Sequence, residues 1–212
     1  MNKVVGCLTV GLIAVWAAGL AYAGGTGVVT TGPLAVTASV GGNLSFSWEL
    51  YDESGQQSFS WSAQPASSLN FGALEKSATG NNYYSPKWYA LILYTTANSP
   101  YNIQQGYSSL SSGGNHLNNS FIVTPDYQAA DMWDGKYAQG SKGNDIMASP
   151  SLVKNANILY AGNAGQGRIL RFYYAIPQSA PAGTTISGFT PVTSSQPQGN
   201  YYGSVTVSIV AQ

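Results

Sequence analysis

Charge is scarce in this chain: acidic and basic side chains make up 8% of its 212 residues and balance to a net charge of zero. With no basic stripe there is no electrostatic footprint for nucleic acid or for anionic lipid. Cysteine is nearly missing too. The single one, Cys7, lies in an N-terminal apolar run, so no disulfide staples the sequence that follows. One histidine, His116, and no later cysteine leave too few soft or imidazole ligands for a zinc or copper centre. A Gly-x-Ser-x-Gly elbow is also absent, and His116 sits in the loop-like stretch Gly113-Gly114-Asn115-His116, which reads as a surface position and not as a member of a hydrolytic triad. These absences point to a non-enzymatic chain without a cofactor.

What is present begins with an export pattern. Lys3 precedes the apolar run Val4 to Leu20 and the small-x-small site Ala21-Tyr22-Ala23. Residues 1–23 therefore read as a signal peptide, with an uncleaved anchor as the competing reading, and the exported chain starts at Gly24. The remaining length, about 190 residues, suffices for one domain with a real core. Ser, Thr, Asn, Gln and Gly carry its solubility, and the 15 tyrosines suit the same extracellular, self-associating character.

Strand signals recur along the whole chain. Gly24 to Pro33 is a Gly- and Thr-rich arm, flexible or extended, joined to a body spanning 34–212. Leu34, Val36, Ala38 and Val40 alternate with small or polar residues, and Gly41-Gly42-Asn43 leads into a second alternating run, Leu44 to Leu50, so the pair is predicted to form a hairpin. Leu69 to Leu74 is another strand, and Lys87 to Thr95 is continuously apolar, as a central strand buried on both faces should be. Tyr101 to Gln105 is expected to pair back on it. Ser120 to Thr124, Ile158 to Tyr160, Arg168 to Ile176 and Gly183 to Thr190 follow. Tyr201 to Val210 closes the chain, its Val205, Val207 and Ile209 alternating with Ser204, Thr206 and Ser208. Such a series of short strands predicts an all-β fold, an immunoglobulin-like antiparallel Greek-key β-sandwich.

Residues 125–150 depart from the pattern, with one or two helical turns expected over Tyr127 to Trp133 and a loop beyond. Asp126, Asp131, Asp134, Asn144 and Asp145 are hard oxygen ligands of the kind calcium takes, although their spacing matches no EF-hand. Gly162 to Gly167 is glycine-rich but lacks the Lys-Ser/Thr and the helix of a phosphate cradle, so a hairpin connection is expected there. Trp48 and Trp88 fall within strands and are assigned to the core. Trp61 and Trp133 lie nearer loops, where they could stack on sugar rings with Tyr83-Tyr84 or Tyr201-Tyr202 alongside, which defines an alternative function as a monomeric carbohydrate-binding adhesive module.

Three stretches carry a family resemblance. Ser68-Leu69-Asn70-Phe71-Gly72-Ala73-Leu74 looks like an element near the start of many bacterial surface β-sandwiches, and Tyr89 to Ile103, with its Ala97-Asn98-Ser99-Pro100 turn, is similar to the strand pair that follows it. Tyr174-Ala175-Ile176-Pro177, Pro181-Ala182-Gly183-Thr184 and Gly203 to Ile209 resemble the ending of the spore coat protein U family and related chaperone–usher pilins. The chain departs from that family in lacking cysteines after Cys7 and in the insertion Thr185 to Asn200. The resemblance implies an exported subunit of a pilus or surface fibre, handled by a periplasmic chaperone and an outer-membrane usher, reaching the cell surface through the periplasm and acting in attachment or biofilm. It also implies filaments built by β-strand addition, each sheet receiving an extended arm from the next copy. Gly24 to Pro33 is then the donor arm, with Val28 as pocket-filler and Thr30 beside it. The alternative is an arm that stays disordered or pairs within its own domain.

Overall fold

The computed structural model describes residues 28–39, 44–52, 64–117, 119–128, 145–147, 150–163 and 166–212. Its strands, in chain order, are Val28–Pro33 (β1), Ala35–Ser39 (β2), Leu44–Asp52 (β3), Gln64–Pro65 (β4), Ser68–Ala73 (β5), Glu75–Lys76 (β6), Asn82–Tyr84 (β7), Trp88–Ala97 (β8), Tyr101–Ser112 (β9), Asn115–His116 (β10), Ile122–Gln128 (β11), Asp145–Met147 (β12), Ser151–Leu152 (β13), Asn157–Gly162 (β14), Gln166–Ala175 (β15), Val192–Thr193 (β16) and Tyr201–Ala211 (β17). No helix occurs among the described residues. The fold is all-β.

Two seven-stranded sheets pack face to face. The first runs β10-β9-β17-β1-β5, with β14 on the outer side of β9 and β2 beside β17. The second runs β12-β11-β15-β8-β3-β4, with β13 on β11. A small third sheet joins β16, β7 and β6. Pairings are antiparallel except where β1 and β2 run parallel to β17.

The alternation of β17 explains the core. Val205, Val207 and Ile209 turn inwards, where they join Leu69, Phe71 and Ile103 of the first sheet and Leu91, Leu93, Leu170 and Phe172 of the second. Burying one such side chain stabilises the fold by about 1.5–3 kcal/mol. Tyrosine contributes heavily: Tyr89, Tyr101, Tyr173, Tyr174 and Tyr201 are all buried. Two of the hydroxyls meet polar partners between the sheets: Tyr101 Oη lies 2.8 Å from Thr95 Oγ1, and Gln105 Nε2 donates to Tyr174 Oη at 3.0 Å. Rings also meet edge to face, Phe71 with Tyr89 at 5.3 Å and with Phe121 at 5.4 Å.

A second apolar cluster sits on the outer face of the second sheet. Trp88, Ala90, Ile122, Leu152, Tyr173 and Ala175 form it, capped by Ile186 with Ala180 and Phe189. The inserted segment is thus a lid over a sheet face, and Gly183 to Thr190 is not the predicted strand.

Further expectations are corrected. The β2 and β3 segments do not form a hairpin: β2 pairs with β17 in one sheet and β3 with β8 in the other. Tyr101 to Gln105 does not fold back on β8, because β9 lies between β17 and β14 in the opposite sheet. The link between β14 and β15 likewise crosses between sheets, and Tyr127 continues strand β11 in place of the expected helical turn. The central position of β8, between β3 and β15, is as expected.

Candidate functional site

The N-terminal strand β1 occupies a slot inside the first sheet. On one side it runs parallel to β17, with Val29, Thr30 and Thr31 aligned with Tyr201, Tyr202 and Gly203. On the other it runs antiparallel to β5, Val28 opposite Ala73, Val29 opposite Gly72, Thr30 opposite Asn70 and Pro33 opposite Ser68. Val28 and Thr30 therefore lie in a strand of their own chain, which is the within-domain pairing named as the alternative above. Among the described residues, β5 is joined to the first sheet through β1 alone.

Local chemistry shapes this slot. The register shifts between Val29 and Thr30, and Gly72 there adopts φ +66°, a backbone conformation that favours glycine. Gly203 is required for a different reason. A Cβ at this position would come within 2.7 Å of the Ser108 carbonyl and 3.0 Å of that of Ser109, so β9 and β17 approach closely only because the side chain is missing. Pro33 has no N–H to offer a ladder and stands at the end of β1, after which buried Leu34 anchors the chain before β2. Two carbonyls of β5 are bonded by side chains: Ser85 Oγ donates to the Phe71 carbonyl at 2.8 Å and Tyr89 Oη to that of Asn70. Beneath the slot lie Leu69 and Phe71 of the core.

The other candidate residues are scattered. Trp61 and Trp133 fall outside the described residues, as do Asp131, Asp134 and Asn144. Asp126 and Asp145 belong to paired strands, Asp126 opposite Met147 and Asp145 opposite Gln128. No group of three or more His, Cys, Asp or Glu close enough to hold a metal occurs among the described residues. Trp88 is buried as assigned, but Trp48 is not: it stands opposite Leu93 on β3, outside the short pairing of Tyr51 and Asp52 with β4, and is 38% exposed. An alternating pattern gives the face of a residue and not the depth of its strand, so a core-facing position at a sheet margin still meets water. His116 is exposed, its Nδ1 3.0 Å from Ser109 Oγ, and Gln196 Nε2 donates to its backbone carbonyl.

A cleft of about 300 Å³ opens between Tyr84, Pro86 and Trp88 on one side and Pro177, Ala180 and Pro181 on the other. Its lining contains no carboxylate, imidazole or amine, and the Tyr84 phenol is its one titratable side chain. No protein-family model matches the chain, and no curated protein or solved structure matches it.

Proposed function

We propose that the protein is a secreted, non-catalytic structural subunit that associates with copies of itself by strand addition at the β1 slot, forming a fibre at the cell surface that serves attachment or biofilm. The observation that carries this reading is the position of β1. A terminal strand, joined to the body at Pro33 and Leu34, is the piece that links β5 to β17. If β1 leaves, two strand edges are bared over Leu69 and Phe71, and the β1 of another copy presents the same hydrogen-bonding groups and side chains to them. The scarcity of charge fits such association, since little repulsion holds copies apart.

An immunoglobulin-like Greek-key connectivity is part of the same proposal. Neighbours within a sheet are distant in sequence, as with β8 between β3 and β15 or β9 between β14 and β17, and the chain crosses repeatedly from one sheet to the other. Export through the periplasm, with a chaperone covering the slot and an usher in the outer membrane, is the route this reading implies.

The test compares the chain from Gly24 with one lacking residues 24–33, by negative-stain microscopy and unboiled denaturing gels. Filaments or a detergent-resistant ladder that need the arm are expected. Identical folded monomers from both would sink the proposal.

A further inference from the structure

Charge is unevenly divided between the two sheets. The seven strands of the first sheet, β1, β2, β5, β9, β10, β14 and β17, contain no Asp, Glu, Lys or Arg, whereas β3, β11, β12 and β15 of the second carry Glu49, Asp52, Asp126, Asp145, Arg168 and Arg171. Because Val205, Val207 and Ile209 face the core, Ser204, Thr206 and Ser208 face outwards. The register extends that face across the neighbouring strands: Ser204 stands opposite Ser108, Thr206 opposite Gly106, Ser208 opposite Gln104, and Gln104 opposite Ile158 of β14. Three large apolar side chains are exposed among the described residues, and two of them, Tyr202 at 57% and Ile158 at 53%, are on these strands. Tyr202 lies opposite Ser111 at one end of the face, and Ile158 lies towards the other, with the hydroxyl rows between them. From Tyr202 to Ser208 the face extends about 20 Å along the strand, and its rows are spaced by about 4.8 Å across strands.

Soluble domains commonly place charge on roughly a quarter to a third of surface positions, so seven described strands of one sheet without any are unusual. We propose that the outer face of the first sheet is a binding surface for a neutral polysaccharide, with Tyr202 stacking on a sugar ring and the Ser, Thr and Gln rows hydrogen-bonding its hydroxyls. A neutral, polyhydroxylated ligand fits on two counts: the described strands of this face bring no ion to desolvate on contact, and their hydroxyls and amides, with that of Asn155 beside Gly106, both donate and accept. A second copy of the chain fits less well. The core of a homodimer interface is about 65% apolar, while here the large apolar side chains are isolated from each other by hydroxyl rows. The inference is independent of strand exchange.

The test is depletion of the chain from Gly24 by microcrystalline cellulose, chitin and starch, with heparin–agarose as the charged comparison. Retention by at least one neutral polysaccharide and none by heparin is expected, unchanged in 1 M NaCl. Tyr202→Ala, Ser204→Lys and Thr206→Lys should each weaken retention at least tenfold, whereas Tyr202→Phe, and Ser47→Lys on the exposed margin of the second sheet, should leave it intact. Variants are compared only where circular dichroism and melting match the parent. No retention on any neutral polysaccharide overturns the proposal, as does retention that survives all three face variants. Concentration-dependent dimers that dissociate in Thr206→Lys, without polysaccharide retention, overturn it in favour of a self-contact.

Discussion

Alkaline pH should unfold this protein through its buried phenols. Tyr174 lies fully buried between the sheets, and burial pushes its ionisation far above the usual phenol range, offset in part by the hydrogen bond from Gln105. Tyr89 is raised similarly, first by burial and then by the Asp52 carboxylate, and half-buried Tyr107 is raised by burial to a lesser effect. In the unfolded chain all three ionise near pH 10. The folded state keeps these protons where the unfolded state releases them. The associated stability is therefore fully present below about pH 10 and is lost as pH rises above it. Each retained proton contributes a slope of about 1.4 kcal/mol per pH unit, so Tyr174 and Tyr89 together give roughly 3 kcal/mol per unit. Against a domain stability of about 5–15 kcal/mol, unfolding should follow within a few units. Urea titrations from pH 7 to 12, read by tryptophan fluorescence, should give a nearly constant stability to about pH 9 and a steep fall from about 10. Tyr174→Phe should make that slope shallower by about 1.4 kcal/mol per unit. It should also lower stability at pH 7 by about 1–3 kcal/mol, because the Gln105 amide, whose Oε1 is already buried without a partner, loses its acceptor. A stability that stays flat through pH 11, or a slope unchanged in Tyr174→Phe, would refute the reasoning.

Four further outcomes are expected. Gly203→Ala drives a Cβ against two β9 carbonyls and should lower stability by about 1–3 kcal/mol in thermal melts, with loosened protection of β1 amides in hydrogen exchange. Trp88→Ala should cost about 3–5 kcal/mol by urea unfolding, and Trp48→Ala, on the exposed margin, under about 1.5 kcal/mol; equal costs would contradict their different burial. Ile186→Ala should cost about 2–3 kcal/mol and raise dye binding by uncovering the outer face of the second sheet. Lys87→Ala removes the 3.1 Å pair with Asp52, which is open to water, and should change the urea midpoint by the equivalent of about 1 kcal/mol or less.

Strand existence was largely legible in the sequence, and strand partnership was not. The alternation of Tyr201 to Val210 and the continuous apolar run at Trp88 identified β17 and β8, because side-chain period and burial are written locally. The same alternation in Leu34 to Val40 and Leu44 to Leu50 suggested a hairpin, yet β2 and β3 belong to opposite sheets: period two reports which faces are apolar but not which strand lies alongside. Ile186 and Phe189 suggested a strand and instead cap a sheet, a tertiary role with no local signature. The β1 slot was readable as a candidate arm, although its place between β5 and β17 depends on contacts far apart in the chain. The uncharged face was present in every segment of the first sheet. It was hidden because those segments are interleaved with the charged strands of the second.

Strand exchange is tested most directly by a covalent trap. In the chain from Gly24, which lacks Cys7, Val28→Cys and Ala73→Cys place two cysteines at opposed positions of β1 and β5. After mild oxidation, non-reducing gels should show a ladder of disulfide-linked multimers that collapses on reduction, each rung recording the β1 of one copy in the slot of another. A single fast-migrating monomer at every protein concentration, with its disulfide closed within one chain, would contradict the account.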